Sequence, residues 1–247
     1  MDDYYLGGRS MGALKIGALW MAGWIGGSSV IGTSSNSYSM GITGIWYVGE
    51  IAIGCVLFAL VMAKPIKRVS EELKNVTFPE LIHARYDQKN STMASITTIL
   101  AMIGYTAAQF VAGASILNVL TGWNLGVCYI LAAVVIVFYV STGGLLAVTY
   151  TDIVQMALLL LGVVGLAVPL VGSQLHKMGA NLVTDLPASF FDLGAWGWPT
   201  ILALGLSTIM SFFTSMDSYT RCIAAKDAKT ARAGTIYAAC LLYTSPS

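Results

Sequence analysis

The chain has 247 residues, of which 56% are hydrophobic and only 10% charged, and its formal net charge is +1. The mean hydropathy is +0.74. A soluble domain covers its surface with far more charge, so this composition excludes the soluble class and indicates a protein embedded in a membrane.

The apolar runs predict membrane-spanning helices, each of which needs about 20 mostly apolar residues. In chain order, the predicted spans are residues 13–41, 44–63, 93–120, 125–140, 153–172 and 199–216, and a seventh begins near Ala231. The run at 125–140 is short and needs tilt. The pattern predicts an all-α, polytopic membrane protein.

The basic residues predict how these spans are oriented. On the six-span map, 12 of the 13 Lys and Arg residues fall on one side, and only Lys177 falls on the other. Cytoplasmic loops collect Lys and Arg. We therefore expect a multi-pass protein of the cell's inner (plasma) membrane, with its first residue and the loop 64–92 on the cytoplasmic side and the segment 173–197 outside.

The first predicted span contains the unusual stretch "WMAGWIGGSSVIGTSSNSYSMG" at residues 20–41. One interpretation is close helix packing, because Gly23 and Gly27 form a G-x-x-x-G pair. The other is a discontinuous helix that unwinds at residues 26–29 and frees backbone carbonyls to bind a cation. The run of hydroxyl residues after Gly27 exceeds what packing requires and favours the second interpretation.

Three other polar residues lie in or beside the spans. Glu50 falls near the external end of the second span and fits the membrane interface. Gln109, inside the third span, fits a hydrogen bond to another helix. Asp152, or Thr151 before it, fits the N-cap of the fifth helix, where a carboxylate also suits the helix dipole.

Several motifs occur in the same order along this chain as in a known family. They are "DYYLGGRSMG" (3–12), "AKP" (63–65), "TFPELIHARY" (77–86), "STGGLLAVTYTDIVQ" (141–155) and "TRCIAAKDAKTAR" (220–232). Together they resemble the sodium:solute symporter family, whose members use a sodium gradient to move sugars, amino acids, vitamins, choline and small carboxylates. The resemblance covers the chain from about Asp3 to Ala239.

The resemblance implies a leucine-transporter-type fold, in which two inverted five-helix repeats place the binding site at the bilayer midplane. Residues 1–239 would form a partial transmembrane domain with the first repeat, the start of the second, and a discontinuous first helix. The family has a further helix before this stretch and several after it, so we expect a fragment. One back-translation of the tail at 240–247 resembles a transposon end used to prepare sequencing libraries, and we expect this tail to be non-native.

The resemblance also implies residues for the coupling ion, Na⁺. Two backbone carbonyls of the family's first core helix contribute to the sodium site, and the matching positions are Ala22 and Ile25. A hard cation prefers such oxygen ligands. The aspartate matching Asp152 lies on the family's sodium exit route, which is compatible with capping.

The substrate positions implied by the resemblance are Trp24, Ser28, Gly32, Tyr105 and Thr208. Proline-transporting members carry other residues at the positions of Trp24 and Ser28, which argues against proline as the solute. Trp24 fits either a cation–π site for a quaternary amine or ordinary packing. Tyr105 fits either the substrate cavity or a hydroxyl bonded to a neighbouring helix.

These features predict a secondary transporter that couples sodium influx to uptake of a small polar organic solute by alternating access, without covalent catalysis. The expected partners are the solute and membrane lipids, and nucleic acid is not expected. Two alternatives stay open. One is a membrane sensor or enzyme module built on a symporter-like domain, and the other is a carrier with a different coupling ion.

Overall fold

The computed structural model describes residues 2–74 and 77–244, and within these residues the chain is helical and contains no β-strand. The α-helices are α1 (Asp2–Leu6), α2 (Ala13–Trp24), α3 (Gly27–Met40), α4 (Trp46–Val61), α5 (Ala63–Leu73), α6 (Phe78–Arg85), α7 (Gln88–Thr121), α8 (Leu125–Leu160), α9 (Val168–Met178), α10 (Leu182–Asp185), α11 (Trp198–Thr214), α12 (Met216–Ala224) and α13 (Ala228–Thr244). A π-helical stretch, Leu161–Ala167, joins α8 to α9. The predicted all-α fold is confirmed.

Length and apolar composition identify the helices that can cross a membrane. Three stretches of the described chain qualify: Ser29–Val61, Gln88–Thr121 and Gly144–Met178. A fourth qualifies if α11 and α12, bent by 49°, count as one span, and Leu125–Phe138 is apolar but shorter. This number is below the six predicted, partly because the first predicted span is interrupted after Trp24.

The prediction placed a connection between residues 140 and 153, and α8 is interrupted inside this stretch. At Gly144 φ is 55° and ψ is −152°, so two helical segments meet at a kink there. A side chain there would also meet the carbonyl oxygen of Tyr4 at 2.6 Å. Positive φ and this close approach both favour glycine. The helix therefore bends at Gly144 to pack against α1.

The buried core lies where α2, α4, α12 and α13 meet. Trp20, on α2, is fully buried. Its ring stacks on Phe212, with centroids 5.8 Å apart, and contacts Phe58 at a tilted angle, with centroids 5.5 Å apart. By contrast, α7 and α8 expose large apolar side chains such as Val119, at 82%. Burial of aromatic rings stabilises the core, and the exposed faces suit lipid or other membrane helices.

One end of this core is held together by polar contacts. Lys67 Nζ, almost fully buried, donates a hydrogen bond to the carbonyl of Ile223 (2.9 Å) and lies 3.6 Å from Glu71. Burial lowers the pKa of Lys67. Met11 N donates to Ala224 O at 3.2 Å, and Lys226 N donates to Met11 O at 3.0 Å. The start of α2 and the end of α12 are thus tied to the same end of the molecule.

The opposite end is covered by the segment between α9 and α11. Thr43 Oγ1 and Trp46 Nε1 both donate hydrogen bonds to the carbonyl of Leu193, at 3.1 and 2.9 Å. The two ends of the helical core therefore differ in which segments close them. At the chain's own end, α13 continues to Thr244, and residues 245–247 of the proposed non-native tail lie outside the described residues.

Candidate functional site

The first predicted span is broken, as the sequence predicted. Helix α2 ends at Trp24, and α3 begins at Gly27. Between them, Ile25 (φ −95°, ψ 89°) and Gly26 (φ −110°, ψ −178°) leave the helical conformation. The break lies slightly before the predicted residues 26–29, because Gly27 and the serines that follow it already belong to α3.

The break leaves carbonyl groups without their helical partners. Tyr105 Oη, on α7, donates a hydrogen bond to the carbonyl of Gly23, and Ser29 Oγ donates to that of Trp24 at 2.8 Å. Within the described part of the chain, the carbonyls of Ala22 and Ile25 accept no hydrogen bond from a backbone N–H group. Unpaired carbonyls inside a protein need a partner, and a hard cation such as sodium fits these oxygens.

The glycines at the break are explained by close approach of other side chains. A Cβ on Gly26 would lie 2.4 Å from Gln109 Oε1, and one on Gly27 would lie 3.0 Å from Ala112 Cβ. A Cβ on Gly23 would lie 1.8 Å from Arg221 Nη2. Neither Ile25 nor Gly26 has a positive φ, so close packing, rather than backbone freedom, requires glycine here. Gln109 of α7 thus lies against the break, and its hydrogen bond to another helix stays a prediction.

The aromatic residues of the break are packed rather than free. Trp24 stacks on Phe212 of α11, with ring centroids 4.0 Å apart and planes 8° apart. Its indole nitrogen is buried and has no hydrogen-bond partner among the described residues. Packing therefore covers one face of Trp24 and leaves at most the other for a cation–π contact.

The other predicted substrate residues are spread along the helices. Gly32 lies beside the ring of Tyr47, with a Cβ position 3.4 Å from Tyr47 Cζ. Thr208 is half-buried on α11, and its carbonyl accepts a hydrogen bond from Ser211 Oγ at 2.6 Å. The side chain of Ser28 lies outside the described residues. Of the predicted set, Trp24 and Tyr105 are the residues whose contacts meet at the break.

One prediction about an acidic residue is wrong. Helix α8 runs through Thr151 and Asp152, so neither caps a helix N-terminus. Glu50 is only 5% exposed and lies against Gly205 of α11, and its Oε1 atom has no hydrogen-bond partner in the described chain. The position of Glu50 at the membrane interface stays a prediction.

A cavity of about 160 Å³ lies next to the break. It is lined by Leu19, Ala22, Gly23, Leu145, Val148, Asp152, Asp217, Thr220 and Arg221. Arg221 Nη2 forms an ion pair with Asp217 Oδ2 at 2.5 Å, and the guanidinium carbon lies 5.0 Å from the centre of the Trp20 ring. The cavity thus brings Asp152 and the ion pair of α12 to the same side of the break.

Sequence reasoning missed Asp217 and Arg221 as site residues. Arg221 served only to orient the spans and to extend a family motif. The signal that could have found them is their spacing of four residues in an otherwise apolar region, which places opposite charges on one helix face. Charged pairs in membrane helices usually face a cavity or pathway.

Comparison with known proteins agrees with this architecture. The sequence model described as the sodium:solute symporter family matches residues 4–244. Sodium/proline symporters of Staphylococcus aureus, including those of strains JH9 and USA300, are similar to this chain, with 32% identity over 173 residues. The alignment covers 66% of this chain and 33% of each relative, so the chain spans about a third of the length of these curated relatives. The chain belongs to the sodium:solute symporter family.

Proposed function

We propose that the protein couples sodium influx to the uptake of a small polar organic solute by alternating access, as a secondary transporter and not an enzyme. The observation that carries this proposal is the pair of carbonyls, at Ala22 and Ile25, which accept no hydrogen bond from a backbone N–H group in the described chain. They face a break inside a helix, where unsatisfied backbone is tolerated if it lines a cavity or binds an ion.

The site chemistry supports an ion as the driving ligand. The neighbouring cavity holds two carboxylates, of Asp152 and Asp217, and one guanidinium, of Arg221, which leaves an excess of one negative charge. A monovalent cation at the break would balance that charge. We propose that Asp152 receives the ion as it leaves the carbonyls, on the cytoplasmic side of the plasma membrane.

The solute is proposed to bind beside the ion at the break, near Trp24 and Tyr105. The similar proteins from Staphylococcus aureus are named for proline. We propose a different small polar solute, because the residues Trp24 and Ser28 differ from those at the matching positions of proline-transporting members. L-proline therefore belongs among the solutes tested.

The test is uptake by the full gene product reconstituted into proteoliposomes. Labelled L-proline, L-alanine, choline, D-glucose and lactate are offered with an inward sodium gradient, an inward potassium gradient, or a sodium gradient collapsed by an ionophore. We expect one solute to accumulate only with the intact sodium gradient. Accumulation that is equal in sodium and potassium contradicts sodium coupling.

A matched pair of variants tests the ion route. Removal of a charged ligand typically weakens binding by about tenfold or more, so Asp152→Asn is expected to raise the sodium concentration for half-maximal uptake by about tenfold. Asp87→Asn is the control, because Asp87 is an exposed carboxylate that caps α7. An equal change in both variants contradicts the proposed role of Asp152.

A further inference from the structure

Glu50 is an ionisable residue inside a membrane-crossing stretch, and the proposed function does not use it. It belongs to Ser29–Val61, which is long and apolar enough to cross a membrane. The residue is 5% exposed, and its Oε1 atom is buried without a hydrogen-bond partner in the described chain. It does not line the cavity beside the first break. A carboxyl group at such a depth is costly as a bare charge, so it needs a counter-charge or a proton.

Close packing of α4 against α11 encloses this carboxyl group. Gly205 of α11 lies opposite Glu50, since a Cβ there would be 3.4 Å from its Cδ and Oε1 atoms. One turn further along, Gly54 of α4 faces α11, and a Cβ at this glycine would lie 2.7 Å from Phe212 Cδ2 and 3.5 Å from Ile209 Cα. The carboxyl group is therefore held between two helices that run in the same direction and approach closely at glycines.

The helices around Glu50 place no basic group at its level. The basic residues of α5 follow the end of α4 at Val61, about 17 Å along the axis from Glu50. On α13, Thr235 O accepts a hydrogen bond from Cys55 Sγ (3.3 Å), and the part of α13 that precedes Thr235 lies towards α5, away from Glu50. The titratable side chains described on these elements are Tyr47 and Cys55 on α4, Tyr38 on α3, Lys64, Lys67, Arg68, Glu71 and Glu72 on α5, and Lys229, Arg232, Tyr237 and Cys240 on α13, with none on α11 or residues 41–45.

We propose that Glu50 is a proton-binding site, and that the proton bound there allows α4 and α11 to pack as they do in this structure. A proton suits the site because it needs a single oxygen atom. A metal cation needs several oxygen ligands, and the described chain has no group of three or more acidic, histidine or cysteine side chains that could hold one. An ionised carboxylate without a counter-charge would destabilise the contact between the two helices.

The proton site is connected to the cavity beside the first break through α11. This helix ends at Thr214 and continues, after a bend of 49°, as α12, which contributes to the lining of the cavity. Loss of the proton would place a charge against Gly205 and favour separation of α11 from α4. Proton binding at Glu50 therefore acts on the position of the helix that leads to the cavity, whichever solute the protein carries.

The first test is infrared spectroscopy of the purified full gene product at about pH 6, where an ordinary glutamate, with a pKa of about 4.3, is ionised. The C=O stretching band of protonated carboxyl groups is recorded for the unaltered protein, Glu50→Gln and Glu72→Gln. Glu72, an exposed glutamate of α5, is the matched control. We expect Glu50→Gln to lose the contribution of one carboxyl group and Glu72→Gln to lose none. An unchanged band in Glu50→Gln overturns the proposal.

The second test follows the unfolding equilibrium of the same three proteins as the pH rises from about 6 to about 9. Glutamine has nearly the shape of a protonated glutamate and cannot ionise, so Glu50→Gln is expected to fold. The unfolded chain of the unaltered protein binds no proton at this position, so its stability should fall as the pH rises. Its unfolding constant should increase relative to that of Glu50→Gln by up to about tenfold per pH unit, the limit for one proton. Glu72→Gln should behave as the unaltered protein does.

The remaining outcomes also decide the matter. A Glu50→Gln variant that does not fold overturns the proposal, because it shows that the charge of the carboxylate is needed. A Glu50→Gln variant whose stability changes with pH as that of the unaltered protein does overturns it as well. Neither test requires sodium or a solute. Failure of the proton site therefore leaves sodium-coupled transport standing, and failure of sodium-coupled uptake leaves the proton site standing.

Discussion

The break between α2 and α3 and the break between α11 and α12 differ in which parts of the chain donate hydrogen bonds to their carbonyls. At the second break, Ser215 N donates to Ser211 O (2.8 Å), and Tyr219 Oη donates to Phe213 O (2.9 Å). At the first, Tyr105 of the distant helix α7 donates to the carbonyl of Gly23. The second break is thus held by donors from its own stretch of chain, and the first by a donor from another helix.

The two breaks also differ in whether glycines and side chains from other elements lie at the bend. Three close approaches, by Arg221, Gln109 and Ala112, explain why glycines cluster at the first break. The second break has no glycine or proline between Ser211 and Tyr219, and its bend of 49° is supported by backbone and tyrosine hydrogen bonds. The first break is thus shaped by side chains from other helices, and the second by hydrogen bonds within its own stretch of chain.

The largest effect is expected from filling the space at the first break. In Gly23→Ala, the new Cβ would meet the Arg221 guanidinium, so that either the ion pair with Asp217 or the backbone of the break must move. Displacement of a binding group by about 1 Å can reduce activity about 100-fold, and we expect a loss of that size in sodium-coupled uptake. Gly113→Ala is the matched control, since its Cβ would contact nothing within 4 Å. Full activity of Gly23→Ala would show that the close approach is unimportant.

The next effect concerns the ring that connects the two breaks. Phe212 is fully buried, stacks on Trp24 and lies against Gly54. Phe212→Ala is expected to destabilise the protein by about 3 kcal/mol, measured as a fall in unfolding free energy in detergent. Leu202→Ala, on the exposed side of the same helix, is the control and should have little effect. Equal losses in the two variants would refute a core role for Phe212.

A smaller effect is expected from the hydrogen bond that closes one carbonyl of the first break. Tyr105→Phe removes the donor to Gly23 O. A hydrogen bond of this kind contributes about 1 kcal/mol, so sodium affinity should change by about fivefold, read from the sodium dependence of uptake. Tyr38→Phe, at an 87% exposed tyrosine, is the control. If sodium affinity is unchanged in both, the bond does not shape the ion site.

The smallest effect lies beyond the second break, where α13 begins. Asp227 Oδ1 accepts a hydrogen bond from Thr230 N at 2.7 Å, which holds the pKa of Asp227 below its usual range. A carboxyl with a lowered folded pKa stabilises the fold above its unfolded pKa of about 3.9 and loses that contribution as the pH falls through the folded value. The melting temperature of the wild type should exceed that of Asp227→Asn by a small, constant amount near neutral pH. The difference should shrink below about pH 4, and a difference that persists there contradicts this account.

The sequence predicted the broken first helix because glycine and hydroxyl residues are unusual inside an apolar span. It misplaced Asp152, because the helical segment that contains Asp152 begins at the break at Gly144, eight residues earlier. It did not predict the burial of Glu50, which depends on α11. It also missed that Arg221 lines a cavity with residues of α2 and α8, because these helices are far from Arg221 in the sequence. Local pattern thus identifies where a helix breaks, while packing decides which groups stay unpaired.

The most direct test of the central claim is equilibrium binding of ²²Na⁺ to the purified full gene product and its Gly26→Ala and Gly113→Ala variants. A Cβ on Gly26 would force the side-chain amide of Gln109 away from the break, whereas Gly113 has open space. The account predicts saturable sodium binding that is weakened in Gly26→Ala and unchanged in Gly113→Ala. The absence of saturable sodium binding to the unaltered protein would contradict a sodium site at the carbonyls of Ala22 and Ile25.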